Sequence, residues 1–424
     1  MDSIPLQMDP GANMPRVIEY VDPIEGCTGY LVYDGENCRL AAGGFRVQPG
    51  LTAGTLTELA SRMTLKQRVL GINVDGAKSG LAFDPNSPAH AEVQARFLSF
   101  LSHELTTRYS MGCDMGTRFE ELEAIAASVG VPSVKYAVKH AQEFDDEEYF
   151  RRMALLDATV GGRTVGRRRA GHALAHAAFG AAESAGYRAD GLQVAIQGFG
   201  NLGRSAAESL VEGGATVIAV ADEHGCAVDP RGLDIPAMLG NPMSMPVTEA
   251  VAPLRRLPRQ ALFMLPVDVL VLAAVENALT AEQAATLSVP VVVVGANMGI
   301  TEAVEMQLGD RGVVVVPDFI GGIGGSASME TLYGPSTTPE PHEVLDGLAY
   351  LMRELTGDVL AGARQRTISP RHVALEMAAN AVVSPDRRPY GSSPYSGAAR
   401  RPKGNRLASA AARRSGLIAT GENL

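Results

Sequence analysis

The sequence predicts an α/β protein of two domains, the second built on a doubly wound parallel sheet. Three observations point there. The chain has 424 residues, which at roughly 150 residues per domain makes two or three domains. Short apolar runs, Leu192–Gln197, Thr216–Ala221, Val267–Ala274, Val289–Val294 and Gly312–Val316, are bounded by Gly, Pro, Asp or Asn. They alternate with helical stretches, the pattern of strands buried on both faces of a parallel sheet. The first run passes directly into a turn with three glycines, Gly198, Gly200 and Gly203, and then into a helical stretch, Arg204–Glu212.

Composition supports this architecture and excludes others. Hydrophobic residues make up 46% of the chain, enough for a sizeable core, while aromatics are only 5% and Trp is absent. Small aliphatic residues therefore do the packing, as suits helices on a parallel sheet. Residues 387–424 hold eight bases and one acid, a net +7, which leaves −17 on the rest of a chain whose total is −10. An acidic body argues against a nucleic-acid-binding core. The four cysteines are far apart and form no CxxC pair, so neither a zinc site nor a disulfide framework is expected. No secretory leader and no run of 18 apolar residues is read. A cytoplasmic protein without metal, membrane or nucleic-acid partner is the expectation.

Along the chain, the first fifteen residues read as loose. Strands are expected at Gly29–Tyr33 and Arg39–Val47, and helices at Thr55–Leu70, Ala89–Thr107 and Glu120–Ala127. The first helix carries Leu56, Leu59, Ala60, Met63 and Val69 near helical spacing. From about residue 150 a long Ala-rich helix, Gly166–Ala185, opens the second domain. Its His172 and His176, with no HExxH pattern around them, read as packing groups. Helices Glu343–Thr356 and Pro370–Val383 are expected to return to the first domain. The division is thus 1–150 with returning helices in 345–384, 151–344 for the parallel-sheet domain, and a disordered basic tail, 385–424.

The turn Gly198-Phe199-Gly200-Asn201-Leu202-Gly203 is a G-x-G-x-x-G between strand and helix, the dinucleotide-binding fingerprint. The first glycine permits the tight turn, the second admits the pyrophosphate and the third brings helix and strand together. The next strand ends at Asp222, 19 residues after Gly203, where an acid meets the adenosine ribose hydroxyls. Glu223 follows, and no base stands there to neutralise a 2′-phosphate. NAD is therefore expected over NADP.

Lys66, Lys78 and Asp114 in the first domain are candidate chemical groups. Lys78 lies in Asp75-Gly76-Ala77-Lys78-Ser79-Gly80, where small neighbours leave its amine approachable. A desolvated lysine beside another cation loses basicity and can act as a base. Each position taken singly reads more simply as a solvated lysine or a turn aspartate.

These segments resemble, in order, those of the glutamate/leucine/phenylalanine/valine dehydrogenase family. The pieces are Gly43-Gly44-Phe45-Arg46, Met63–Lys66, the Lys78 segment with Asp84-Pro85, and Asp114-Met115-Gly116-Thr117. After the glycine-rich turn come Ala273-Ala274-Val275-Glu276-Asn277, Gly295-Ala296-Asn297, Val316-Pro317-Asp318 and Gly324-Gly325. The resemblance runs from about Gly29 to Val383. It implies an N-terminal substrate and oligomerisation domain beside a Rossmann-type cofactor domain, assembled as a homo-oligomer. It further implies that Lys66, beside Gly43 and Gly44, holds the substrate α-carboxylate. Lys78 activates water, Asp114 moves a proton at the amino nitrogen, and Ala274, Asn277 and Asn297 lie at the cofactor, Asn297 also touching substrate. The implied reaction is reversible oxidative deamination of an L-amino acid, yielding its keto acid and ammonia.

Departures from the family pattern shape the rest of the expectation. Ala42 stands where the glutamate enzymes carry a lysine for the side-chain carboxylate, and Met329 where they carry a serine. A non-acidic substrate, apolar or aromatic, is expected from that pair. Asp75 and Ser79 replace glycines, and Asp75 is expected to pair with Lys78. Arg169-Ala170-Gly171 replaces Ala-Thr-Gly, and Gly322 replaces an asparagine. These changes leave two other readings open: a repurposed imine- or keto-acid-reducing biosynthetic enzyme, and a non-catalytic NAD-binding homologue.

Overall fold

The computed structural model describes residues 14–250 and 255–396. The first domain is a mixed five-stranded sheet in the spatial order Arg16–Val21, Thr28–Tyr33, Asp75–Leu81, Ala41–Val47, Tyr109–Cys113. The first two pairings are antiparallel and the last two parallel. One face buries Ala41, Phe45, Ala77, Tyr109 and Met111 with Phe97, Leu98 and Leu122 of the covering helices. Strand alternation turns Ala42, Gly44, Lys78, Ser110 and Gly112 to the opposite face. Helix Ala53–Val69, capped by Thr52 accepting from the Thr55 N–H, lies on that face. Gly76 admits it: a Cβ there would stand 2.2 Å from the Ala60 carbonyl oxygen.

The second domain is a seven-stranded sheet in the order Arg255–Leu257, Cys226–Val228, Thr216–Ala221, Gln193–Gln197, Val269–Leu272, Val291–Val294, Val314–Val316. The last five strands are parallel, and the Cys226–Val228 and Arg255–Leu257 strands run antiparallel at one edge. The chain steps to one side of Gln193–Gln197 and then to the other, so that strand's carboxyl end is the switch point at which such sheets bind ligands. The runs of Val, Ile and Leu that predicted these strands are buried on both faces.

One strand went unread and three expectations are corrected. The segment around Lys78 is a strand, Asp75–Leu81, buried along all its length; Gly, Ala and Ser carry little strand propensity, but pairing on both edges decides the conformation. The Ala89–Thr107 stretch is two helices, His90–Phe100 and Ser102–Thr107, which meet at Leu101. Helix Pro341–Arg366 is longer than expected and lies along helix Val165–Ser184 of the cofactor domain. Gly180 lets the Arg353 backbone within contact there; only Pro370–Ala379 returns to helix Ala53–Val69. The third correction concerns 385–396, which is packed. Tyr390 and Tyr395 are buried, and the buried Glu330 carboxylate accepts the Gly391 and Ser393 N–H groups at 2.9 and 3.2 Å. The rest of the expected tail lies outside the described residues, as do the first thirteen.

His172 and His176 pack, as expected. His172 bonds the Ser209 hydroxyl at 2.9 Å and the Leu345 carbonyl at 3.1 Å, and His176 accepts from Arg353 at 3.1 Å. Among the described residues no cluster of His, Cys, Asp or Glu could hold a metal ion. No helix there is long and apolar enough to cross a membrane.

Candidate active site

The glycine-rich turn has the shape its spacing implies. Gly198 has φ +94°, a conformation only glycine adopts without strain. A Cβ on Gly203 would stand 1.9 Å from the Gly198 carbonyl oxygen, so helix Asn201–Glu212 and strand Gln193–Gln197 meet at van der Waals distance. Above Gly200 lies open space. That helix has no side-chain cap, which leaves the first-turn N–H groups around Asn201, Leu202 and Gly203 for an anion. Phe199 is buried under the Arg204 guanidinium, 5.2 Å from its ring centre. The turn lines a cleft of about 630 Å³ together with Asp222, Ala274 and Asn277. These features fit a dinucleotide: donors at the turn, room beside Gly200 and an acid at the far end.

Asp222 is more committed than its spacing suggested. Its carboxylate already accepts the N–H groups of His224, Gly225 and Val247, at 2.8, 3.0 and 2.7 Å. It therefore shapes the rim of the cleft, with exposed Glu223 beside it. Both carboxylates oppose a 2′-phosphate.

Lys66, Lys78, Asp114 and Asn297, far apart in sequence, meet between the domains. Asp114 follows strand Tyr109–Cys113 in a turn closed by Thr117, whose hydroxyl accepts the Asp114 N–H at 2.9 Å and donates to the Phe45 carbonyl. Gly116, at φ +75°, is required there, since a Cβ would stand 2.3 Å from the Val47 oxygen. The Asp114 carboxylate bridges the Lys78 ammonium and the Arg46 guanidinium, the latter at 3.1 and 3.4 Å. Burial alone pushes the Asp114 carboxyl up, but Lys78 and Arg46 together outweigh it and hold it below the ordinary carboxylate range. Gly44 makes the room: a Cβ there would lie 3.0 Å from the Lys78 Nζ. In the sequence Arg46 is only part of the Gly43–Arg46 motif; its pairing appears once two strands are in register.

Asp75 does not pair with Lys78. Three residues apart on a strand, the two face opposite ways, and Asp75 instead binds Arg68 at 2.6 Å and the Cys38 N–H at 2.8 Å. Ser79 likewise turns from Lys78 to bond the Tyr109 hydroxyl at 2.9 Å.

The Lys66 ammonium donates to Asn297 Oδ1 at 2.8 Å and to the Gly322 carbonyl at 3.1 Å, bridging the domains. Burial, with Lys78 nearby, pushes it down to about 8 against the pull of Asp318. An ammonium that holds a carboxylate must be charged. The KM for the amino acid should therefore be flat below about pH 8 and rise above it, toward about tenfold per pH unit. In Lys66→Arg, whose guanidinium stays charged, that inflection should vanish. A KM profile unchanged by the substitution would refute the assignment.

At the position expected to hold a substrate side chain, Ala42 is half-buried on the cleft-facing side of its strand, and Met329 is buried on helix Gly324–Tyr333. Nearby stand two cations that the sequence reading did not assign to the site. Lys135 is 5% exposed. Its Nζ lies 4.0 Å from where a Cβ on Gly112 would be. Arg169 donates to Ser328 Oγ at 3.0 Å and to the Gly325 carbonyl at 3.3 Å.

A Rossmann-type cofactor cleft in one domain, and a lysine–aspartate cluster of the other joined to that domain through Asn297, define a nicotinamide-linked dehydrogenase. Comparison with known proteins makes this specific. The family model described as Glutamate/Leucine/Phenylalanine/Valine dehydrogenase matches residues 161–388, and the Glu/Leu/Phe/Val dehydrogenase dimerisation domain matches 16–130. The chain belongs to this family. It is 31% identical to glutamate dehydrogenase B of Halobacterium salinarum over 73% of this chain and 72% of that one. It is 26% identical to the NAD-specific glutamate dehydrogenase of Staphylococcus aureus, over 76% and 73%. Among solved structures, the hetero-hexameric glutamate dehydrogenase of Thermus thermophilus in its Leu-bound form superimposes with a TM-score of 0.68 at 26% identity, covering 87% of each chain. The protein is thus an amino acid dehydrogenase acting at a CH–NH2 group with a nicotinamide dinucleotide, NAD being the form named for several relatives.

Proposed function

We propose that this protein catalyses the reversible, NAD-dependent oxidative deamination of an L-amino acid other than glutamate bound in the family's usual manner. The observation that carries it is the convergence of Lys66, Lys78, Asp114 and Asn297 between the domains, with Asn297 next to Met298, whose carbonyl accepts the N–H of Asn277 in the wall of the dinucleotide cleft. Held at the Gly198–Gly203 turn, NAD⁺ would supply the acceptor for the hydride of the substrate Cα. Lys66 holds the α-carboxylate, and Asn297, bonded to it across the cleft, ties that grip to the cofactor domain. Asp114, kept ionised by its two cations, takes a proton from the amino nitrogen. As Asp114 becomes neutral, the Lys78 ammonium paired with it releases a proton to solvent and then takes one from the water that attacks the imine carbon; Asp114 returns its proton to the nitrogen, and ammonia leaves. Gly44 presents bare backbone beside Lys78 and Asp114, whereas Gly43, expected to share that role, faces the neighbouring strand, where a Cβ would stand 1.5 Å from the Ala77 oxygen.

Ala42 and Met329 provide neither a cation nor a hydroxyl, which argues against glutamate held at those two positions. An entirely apolar side chain suits them but would leave Lys135 and Arg169 without a counter-anion. The NAD preference is supported by Asp222 and Glu223 at the adenosine end of the cleft. We further propose assembly through the first domain and residence in the cytoplasm. The strand Arg16–Val21 is a sheet edge, with Val17, Val21, Ile24 and Phe100 exposed along it, a combination that invites a partner. The four cysteines are unpaired, as suits a reducing compartment.

The test is absorbance at 340 nm with NAD⁺ or NADP⁺ and a panel of apolar, aromatic and acidic L-amino acids at alkaline pH. The reverse assay uses the keto acids with NADH and ammonia. NADH formation from at least one amino acid, with NADP⁺ at least tenfold poorer in kcat/KM, is expected. Tight NADH binding without turnover in either direction would overturn the reading.

A further inference from the structure

Lys66 and Lys78 are each accounted for: the first by Asn297, the Gly322 carbonyl and the expected α-carboxylate, the second by Asp114. Lys135 and Arg169 are not. The Lys135 ammonium donates no hydrogen bond to any described residue; its neighbours are the Phe119 ring, 5.6 Å away, and at longer range Arg169, the Cys113 thiol, which also lies near Arg169, and Glu123. Glu123 is engaged by the Ser133 hydroxyl at 3.0 Å. Arg169 bonds only neutral oxygens and has no carboxylate partner among the described residues.

Their placement is set by the fold. Gly44 and Gly112 are register partners on neighbouring parallel strands, which lie about 4.8 Å apart. The Lys78 Nζ stands over the first and the Lys135 Nζ over the second. One step back along the same two strands, on the same face, come Ala42 and Ser110, the place where a substrate side chain is expected. Arg169 reaches this region from the other domain, on the first turns of helix Val165–Ser184. Ala170 beside it touches Gly324, at the start of the helix that carries Met329. Two like charges are thus brought together from two domains, at the distal side of the reacting centre.

A buried cation without a partner is costly, and a second one nearby adds to the cost. Burial and then Arg169 push the Lys135 amine down to about 8, and burial lowers Arg169 as well. An arrangement that destabilises the free protein in this way is relieved when an anion enters between the two groups, a mark of functional sites.

We propose that Lys135 and Arg169 form an anion-binding subsite at the side-chain end of the substrate pocket. The substrate is then an amino acid whose side chain carries a negatively charged group, received by these two residues in place of a lysine at position 42 and a hydroxyl at position 329. The proposal rests on the dehydrogenase reading for the identity of the pocket, but its test does not require turnover.

The test is calorimetric titration of the NADH-loaded protein with glutarate, adipate and pimelate, each against the monocarboxylate of equal chain length. The wild type should bind at least one dicarboxylate tenfold or more tighter than its monocarboxylate. Lys135→Met and Arg169→Met should each reduce that preference about tenfold, with NADH affinity unchanged and the Tm unchanged or raised, since an uncompensated buried charge is removed. Equal binding of di- and monocarboxylates, or a preference that survives both substitutions, would overturn the subsite. The two readings separate cleanly. Turnover of apolar amino acids without dicarboxylate preference would sink the subsite alone. Dicarboxylate preference without turnover of any amino acid would leave the subsite and sink the dehydrogenase.

Discussion

Lys78→Ala should lower kcat by about 10²–10⁴-fold, the range for loss of a positioned general base, while NADH binding measured by fluorescence stays within about twofold. Lys78 lies on the substrate side of the cleft, and the glycine-rich turn that would hold the cofactor is on the other domain. The substitution has little reason to unfold the protein. Gly44 already leaves space at the ammonium, and Asp114 keeps Arg46 as a partner at 3.1 and 3.4 Å. A companion variant separates the two things Lys78 could supply. Lys78→Arg restores a positive charge beside Asp114, but a guanidinium cannot give up its proton in this pH range. If Lys78 acts as a base, Lys78→Arg should be as slow as Lys78→Ala; if it only provides charge, the arginine should recover most of the lost rate. Turnover that persists in Lys78→Ala would remove the residue from the chemistry.

What could be read ahead from the sequence, and what could not, follows from the range of the interactions involved. The strand–turn–helix around Gly198 is local, so its glycines and the apolar run Val194-Ala195-Ile196 before them announce their roles. Lys66, Lys78, Asp114 and Asn297 were legible as members of motifs, though nothing in their spacing showed that they converge. Lys135 sits in Val134-Lys135-Tyr136, between two helices, where any lysine reads as solvated. Its burial is produced by Gly112, Phe119 and Glu123 closing around it, none of them adjacent in sequence. Arg46 was hidden in the same way, because its partner is 68 residues distant. The packing of 385–396 was missed for a different reason. That segment is polar and rich in Pro and Ser, and it is ordered by hydrogen bonds to Asn73, Gln142 and Glu330 rather than by an apolar stripe of its own.

The misplaced pairing of Asp75 leads to the second large effect. Asp75 was expected to pull on Lys78; instead it turns to the other side of its strand, where its side chain is 1% exposed and 2.6 Å from the Arg68 guanidinium. Arg68 also donates to the Val74 carbonyl at 2.7 Å. Arg68→Ala should therefore destabilise the protein by about 3–5 kcal/mol, the cost of leaving one member of a buried ion pair uncompensated. The Cys38 N–H at 2.8 Å and Arg108 at 3.7 Å soften the loss without replacing the lost bond. Urea unfolding would show it as a lower midpoint. Because the cost lies in the stranded carboxylate rather than in the missing arginine, Arg68→Met with Asp75→Leu should recover most of it. A single variant as stable as wild type, or a double variant no better than the single, would refute this account. The strand that Asp75 begins also carries Lys78, three residues on. A loosened Asp75 anchor lets that strand and helix Ala53–Val69 shift against each other, so Arg68→Ala should also weaken the placement of Lys66 over Lys78. Catalytic geometry is thus expected to respond to the buried Arg68–Asp75 pair, although neither member belongs to the lysine–aspartate cluster.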